Sequence, residues 1–178
     1  EANWGQRWGV NNDYAQIKKV LMHRPGKELE IVNKQSVYFS DCDAQLHPEG
    51  KWYWLHERPL DIEKMQEEHD NLANILRREG AEVVYVDAQE DYMTPGGDYL
   101  TKLIFTRDPV IAIPGGAVIL RMAPFMRHGE ERIYQRTLAN IGMPILGMIR
   151  GTGLAEGGGF AMLNPHTALL SISSRIYQ

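Results

Sequence analysis

Two short acidic stretches of this chain have the composition of turns able to hold a cation. Phe105-Thr106-Arg107-Asp108-Pro109 and Glu156-Gly157-Gly158-Gly159-Phe160 each stand just before an apolar stretch of hairpin type. A carboxylate at the start of a strand is held by the backbone around it. Two such carboxylates at one centre suit a planar cation, because a guanidinium presents paired N–H donors that a carboxylate accepts as a fork. The same geometry fixes the group for attack. The residues alone leave two plainer alternatives open, a turn carboxylate and a structural ion pair. A phosphate loop is disfavoured: no Lys-Ser/Thr follows the glycines at 151, 153 and 157–159, and their spacing does not fit.

These turns need elements to carry them. The spacing predicts a helix from about Asp61 to Arg78, with Asp61 capping its start and Gly80 ending it. Its apolar face is expected to hold Ile62, Met65, Leu72, Ile75 and Leu76. A strand, Glu82 to Val86, follows. A second helix is expected over Gly129 to Asn140, burying Ile133, Leu138 and Ile141 and ending at Gly142, with a strand through Pro144 to Met148 after it. The two helix exits share the form L-x-x-x-G-x-x-(V/I)-(V/L), at Leu76 and at Leu138. The hairpins repeat too, Val110 to Leu120 and Phe160 to Leu170, each with a turn of polar, Pro or Gly residues. The order is hairpin, helix, strand and again hairpin, which makes an α/β fold of repeated units that bury one another's faces.

After the hairpin ending near Ser173 the pattern calls for another helix and strand. The expectation is therefore a chain cut from a longer repeat array; a degenerate last unit acting as a cap is the alternative. The chain is read as a single domain, 1–178. Residues 36–60, with Asp41, Asp43, Trp52 and Trp54, read as a long irregular loop, either an active-site lid or a loop packing its own aromatics.

Bulk properties exclude several classes. The 178 residues are 43% hydrophobic and 24% charged, as in ordinary globular domains. No apolar run is long enough to span a membrane and no secretory pattern opens the chain. A net charge of −4 without a basic stripe gives no reason to expect nucleic acid. The single Cys excludes an internal disulfide framework and fits a reducing, cytoplasmic setting.

In order and together, a set of motifs resembles the arginine deiminases: Arg24-Pro25-Gly26 after Val20-Leu21-Met22, Met65-Gln66-Glu67-Glu68-His69-Asp70, Phe105 to Asp108, and Glu156-Gly157-Gly158. The segment Met122 to Glu130 resembles that family's M-x-x-x-x-R-x-x-E, and Ser173-Ser174-Arg175 its next segment. The resemblance runs from about residue 17 to 176. It implies the guanidine-modifying, or pentein, fold: a fivefold pseudo-symmetric α/β propeller of ββαβ modules, of which about three would be present. It further implies that Asp108 and Glu156 grip a guanidinium, that Phe105 packs on its flat face, and that Arg127 and Arg175 meet a carboxylate at the far end of the substrate. The plain alternative for the two arginines is a cation at a helix start or on the surface.

In such enzymes a Cys thiolate attacks the guanidino carbon, and a His serves as acid and then base. The family motifs that carry that Cys and His have no match in the sequence. The one thiol, Cys42, lies between Asp41 and Asp43, which should raise its pKa, the wrong direction for a nucleophile. His128 reads as a solvated helix-start residue, and His69 as part of a charged, exposed helix face and not a metal ligand. Two departures touch the substrate: Lys102 stands where the family has Asn, and Gly159 where it commonly has Asp. The expectation is a deiminase-like hydrolase of arginine or a related guanidino compound, needing no cofactor. The chain supplies the binding acids and shows no turnover alone. Its alternatives are an amidinotransferase and a non-catalytic pentein module. An unfinished propeller is expected to pair with another copy through its exposed edge.

Overall fold

The computed structural model describes residues 5–40, 44–51, 53–55, 58–87, 99–173 and 176. Backbone contacts divide the chain into two compact units, 18–104 and a composite of 1–17 with 105–178. Among the described residues no helix is long and apolar enough to cross a membrane.

In the 18–104 unit, β1 (Lys19–Met22) is followed by a single 3-10 turn and a short helix α1 (Glu30–Gln35). Three short strands, β2 (Val37–Phe39), β3 (Ala44–Leu46) and β4 (Tyr53–Trp54), form an antiparallel sheet. The stretch expected to be an irregular loop is therefore partly sheet. The β-branched and aromatic residues Val37, Tyr38, Phe39, Tyr53 and Trp54 favour strand there, a signal that the Pro and Gly content of 36–60 obscures. Helix α2 (Ile62–Arg78) then leads to β5 (Glu82–Tyr85), which pairs with β1 in parallel, with Lys19 opposite Glu82.

Both ends of α2 form as the sequence requires. The Asp61 side chain accepts the Lys64 amide at 2.9 Å, and Gly80 takes the left-handed conformation at φ +85°. The face differs: Ala73 is the buried residue of α2, while Leu72 and Ile75 are exposed. Spacing identifies an apolar stripe; what covers it depends on contacts distant in sequence.

In the composite unit, β6 (Val110–Ile113) and β7 (Gly116–Ile119) make the first predicted hairpin. Helix α3 (Glu130–Asn140) and β8 (Ile145–Met148) complete a ββαβ module, β8 lying parallel to β7. Ile133 and Leu138 of α3 are buried as expected, with Tyr134 and Thr137. Gly116 is required where it stands, because a Cβ there would collide with the Pro144 carbonyl oxygen. The second hairpin, β9 (Phe160–Asn164) and β10 (Thr167–Leu170), repeats the first. Its outer strand keeps Leu169 and Leu170 more than half exposed.

Candidate functional site

The two acidic turns lie side by side within the composite unit. The Gly157 amide donates to the Asp108 carbonyl at 2.9 Å, so the backbone of one turn hydrogen-bonds the backbone of the other. Gly157 has no alternative, since a Cβ would run into the Arg107 carbonyl oxygen. Arg107 fastens the pair from outside. Its Nε donates to the Gly157 carbonyl at 3.1 Å, and its Nη2 to the Phe160 carbonyl at 2.6 Å and to Asp13 Oδ2 at 2.7 Å. Asp13 is thereby drawn against β9, where its Oδ2 also accepts the Met162 amide.

Each turn is short because the strand behind it begins at once. The Asp108 amide closes onto the Phe105 carbonyl at 3.2 Å, Pro109 cannot donate, and the Pro109 carbonyl accepts the Leu120 amide across the hairpin. On the other side, a single 3-10 turn over Gly157–Gly159 closes with the Gly159 amide on the Glu156 carbonyl.

The Asp108 carboxylate keeps 23% of its surface and uses one oxygen internally. Its Oδ2 accepts Arg127 Nη1 at 2.7 Å. Among the described residues Oδ1 takes no hydrogen bond; it lies over Gly158, where an added Cβ would come within 3.3 Å. Glu156 is nearly buried, and its Oε1 accepts the Ala123 amide at 3.2 Å. The Phe105 ring is exposed, with its centroid 6.0 Å from the Arg127 guanidinium carbon.

Arg127 sits just ahead of α3, on a 3-10 turn over Phe125–Arg127, and is itself buried. Its Nε and Nη2 form a fork on the two oxygens of Glu130, each at 2.8 Å. Glu130, the first residue of α3, is fully buried. Burial pushes its carboxyl above the usual glutamate range, and the Arg127 fork draws it only partly back. Arg127 is held well above the ordinary arginine value by Glu130 and Asp108, against the cost of burial. Tyr134 is also pushed up, mainly by burial and then by Glu130.

The structure thus brings together Phe105, Asp108 and Arg127, with Glu156 on the adjoining turn. Arg175 and Cys42 lie outside the described residues. Spacing and composition point to no role for Arg107, Asp13 or Glu130. Glu130 has a readable signal all the same, since Arg and Glu three apart at a helix start face one another. Asp13 has none, because its contacts are remote in sequence. No cluster able to hold a metal ion is found among the described residues.

Other expectations change in detail. His69 is not on an exposed face: its side chain is 10% exposed, its Nδ1 lies 3.3 Å from Asp70 Oδ1, and its ring is 5.7 Å from that of Tyr85. His128 is half-buried at the start of α3, its Nε2 donating to the Met122 carbonyl at 2.9 Å. Lys102 is buried in the 18–104 unit, its ammonium 4.5 Å from the Tyr53 ring centre and 4.2 Å from that of Trp54. Gly159 carries the Ile176 side chain directly on its Cα, so a larger residue there would displace Ile176.

No family model matches the chain. Similarity to individual proteins is partial and consistent. The arginine deiminase of Streptococcus sanguinis is 36% identical over 88 residues, covering 48% of this chain and 18% of that protein. The arginine deiminase of Streptococcus pyogenes gives the same identity over the same length. The backbone superposes on the DDAH of Pseudomonas aeruginosa with a TM-score of 0.65 at 20% identity, covering 91% of this chain and 52% of that one. An amidinotransferase from Microseira wollei superposes with a TM-score of 0.56 at 15% identity, over 86% of this chain and 54% of that one. The chain is a partial match to the arginine deiminase, DDAH and amidinotransferase superfamily. Its mixed α/β fold corresponds to about half of a DDAH or amidinotransferase chain.

Proposed function

We propose that this chain carries the guanidinium-binding acids of a guanidino-group hydrolase of the arginine deiminase type. The observation behind the proposal is the Asp108 carboxylate. It is held on a rigid turn, keeps one oxygen open beside Gly158, and is joined through the Gly157 amide to the turn of a second acid, Glu156. A rigid acid with an unspent oxygen suits a cationic ligand, and the exposed Phe105 offers such a ligand a flat apolar surface. The partial identity to arginine deiminases supports arginine or a related guanidino compound as that ligand.

In the whole protein the proposed reaction is amidine C–N hydrolysis. A thiolate adds to the guanidino carbon, the C–N bond to the departing nitrogen breaks, and a His supplies the proton with which ammonia or an amine leaves. Water, deprotonated by the same His, then cleaves the C–S bond and returns the thiolate, leaving the ureido product. The part of this chain is to bind and orient the guanidinium. Arg127 and Arg175 are proposed to lie toward the ligand's carboxylate end, Arg127 while still held by Glu130. The closed propeller belongs to this proposal, as do residues 36–60 acting as a lid.

The test is binding, measured by NMR titration of the chain with L-arginine. Saturable shifts at the amides of residues 105–108 and 156–159 are expected, with no citrulline or ammonia formed. Asp108→Asn should weaken binding about tenfold or more, the loss of one charge-assisted hydrogen bond. Shifts that do not saturate, or that survive Asp108→Asn unchanged, would refute the proposal.

A further inference from the structure

We infer that Asp13 is a positioning residue for the two acidic turns, acting through Arg107, and that residues 8–13 form the strap that carries it there. This rests on the reading of Asp108 and Glu156 as guanidinium acceptors and adds what keeps their turns together. Behind Glu156 stand three glycines, Gly157–Gly159, in a single 3-10 turn. Glycine gives up more conformational freedom on folding than any other residue, so three in a row gain from being held by a neighbour. Arg107 holds them. Its Nε donates to the Gly157 carbonyl and its Nη2 to the Phe160 carbonyl, so one guanidinium bridges the first glycine and the residue after the last. Because Arg107 immediately precedes Asp108, the same side chain ties the second turn to the first.

Arg107 is long and its side chain is 54% exposed, so holding two carbonyls costs it rotamer freedom. Asp13 offsets that cost with a charge, its Oδ2 accepting Nη2 at 2.7 Å. Asp13 is itself fixed on both sides of Met162 in β9. Its amide donates to the Met162 carbonyl at 3.0 Å, and its Oδ2 accepts the Met162 amide at 3.3 Å. Further back along the strap, the Trp8 carbonyl accepts the Gly115 amide in the β6–β7 turn. Gly9, at φ +103°, packs on the Ile113 carbonyl with no room for a Cβ. The strap therefore crosses from the first hairpin to the second, and each hairpin follows one acidic turn.

The experiment is a double-mutant cycle on the full chain, Asp13→Asn with Arg107→Gln, read by NMR titration with L-arginine and by denaturation midpoint. Asp13→Asn should weaken arginine binding about fivefold, the scale of an exposed ion pair, and should add little to Arg107→Gln. An unchanged affinity beside a lowered midpoint overturns the inference, since Asp13 would then serve stability alone. Equal losses in both backgrounds overturn it too, because Asp13 would act by a route other than Arg107. Amide exchange tests the same role without ligand. Asp13→Asn should quicken exchange at the Gly157 and Gly159 amides about fivefold and leave the amides of α3 as they were. No change at the two glycines, or a quickening shared equally by α3, overturns the inference. Failure of the unaltered chain to bind arginine refutes the guanidinium reading alone, and the exchange rates then still decide the role of Asp13. If Asp13→Asn loses its dispersed spectrum, molar salt on the unaltered chain replaces it. Screening this part-exposed pair should quicken the same two amides relative to those of α3, and no such difference overturns the inference.

Discussion

Among the described residues, an Arg–carboxylate fork in each unit uses the same chemistry to different ends. Arg24 and Asp70 pair at 2.9 Å with both side chains nearly half exposed. Arg127 and Glu130 pair at 2.8 Å with side chains 6% and 0% exposed. Water screens the first pair, so its net worth is small. The second has given up its hydration and depends on its partner. The exposed fork joins α2 to the segment after β1 and stops there. The buried fork passes its orientation on, through Nη1, to an acid that keeps one oxygen open. Burial turns an ion pair into a fixed strut.

The largest effect should follow from breaking the buried fork on one side. Glu130→Ala leaves Arg127 buried with only Asp108 for an anion, and is expected to cost about 3–5 kcal/mol of unfolding free energy. Chemical denaturation, set beside Asp70→Ala, tests the contrast directly. Similar losses for the two variants would erase the distinction drawn from burial.

Gly157→Ala comes next. The new methyl group has to displace the Arg107 carbonyl and pull apart the two turns that the Gly157 amide joins. Overpacking of this kind costs about 1–3 kcal/mol. Because the turns carry Asp108 and Glu156, arginine binding should fall further than the melting temperature predicts. Binding that merely tracks stability would mean that the turns are not held as a pair.

The amino-acid sequence makes some of these features legible and hides others, and the physics separates the two. Local signals are legible. Asp61 and Gly80 bound α2, and the repeated L-x-x-x-G exits mark both helix ends. Both hairpins form where Pro, Gly and Asn interrupt apolar runs. Asp108 and Glu156 share neighbouring turns because equivalent points of consecutive repeats come together. What covers a surface is not legible. Leu72 and Ile75 lie on the predicted stripe of α2 yet remain exposed, and His69 on its charged side is covered by Tyr85. The brace from Arg107 to Asp13 spans 94 residues, beyond the reach of any spacing rule. The family resemblance assigns Arg127 to a ligand and says nothing of the Glu130 fork that holds it from three residues on.

A smaller effect lies at the start of α2. The Asp61 side chain satisfies the Lys64 amide, a contact three residues away on an exposed helix end. Asp61→Ala should cost about 1 kcal/mol, read as a lower denaturation midpoint with an unchanged slope. A loss as large as that of Glu130→Ala would show that exposed local caps and buried struts are not separable in this chain.

The smallest effect belongs to the exposed fork, and its sign follows from Asp70. The hydrogen bond from Arg24 holds the Asp70 carboxyl below its ordinary value of 3.8, with His69 adding to the shift. A carboxylate with a depressed folded pKa binds its proton more readily in the unfolded chain. Its contribution is therefore complete above about pH 5, shrinks as pH falls past 3.8, and is gone below the lowered folded value. Melting temperatures from pH 6 downward should consequently fall slightly more steeply for the unaltered chain than for Asp70→Asn. The difference should narrow in molar salt, which screens two half-exposed charges. The Arg127–Glu130 pair, out of reach of the counter-ions, should show no such narrowing. A salt response shared by both forks would mean that the buried pair is solvated after all, and would remove the basis for treating it as a strut.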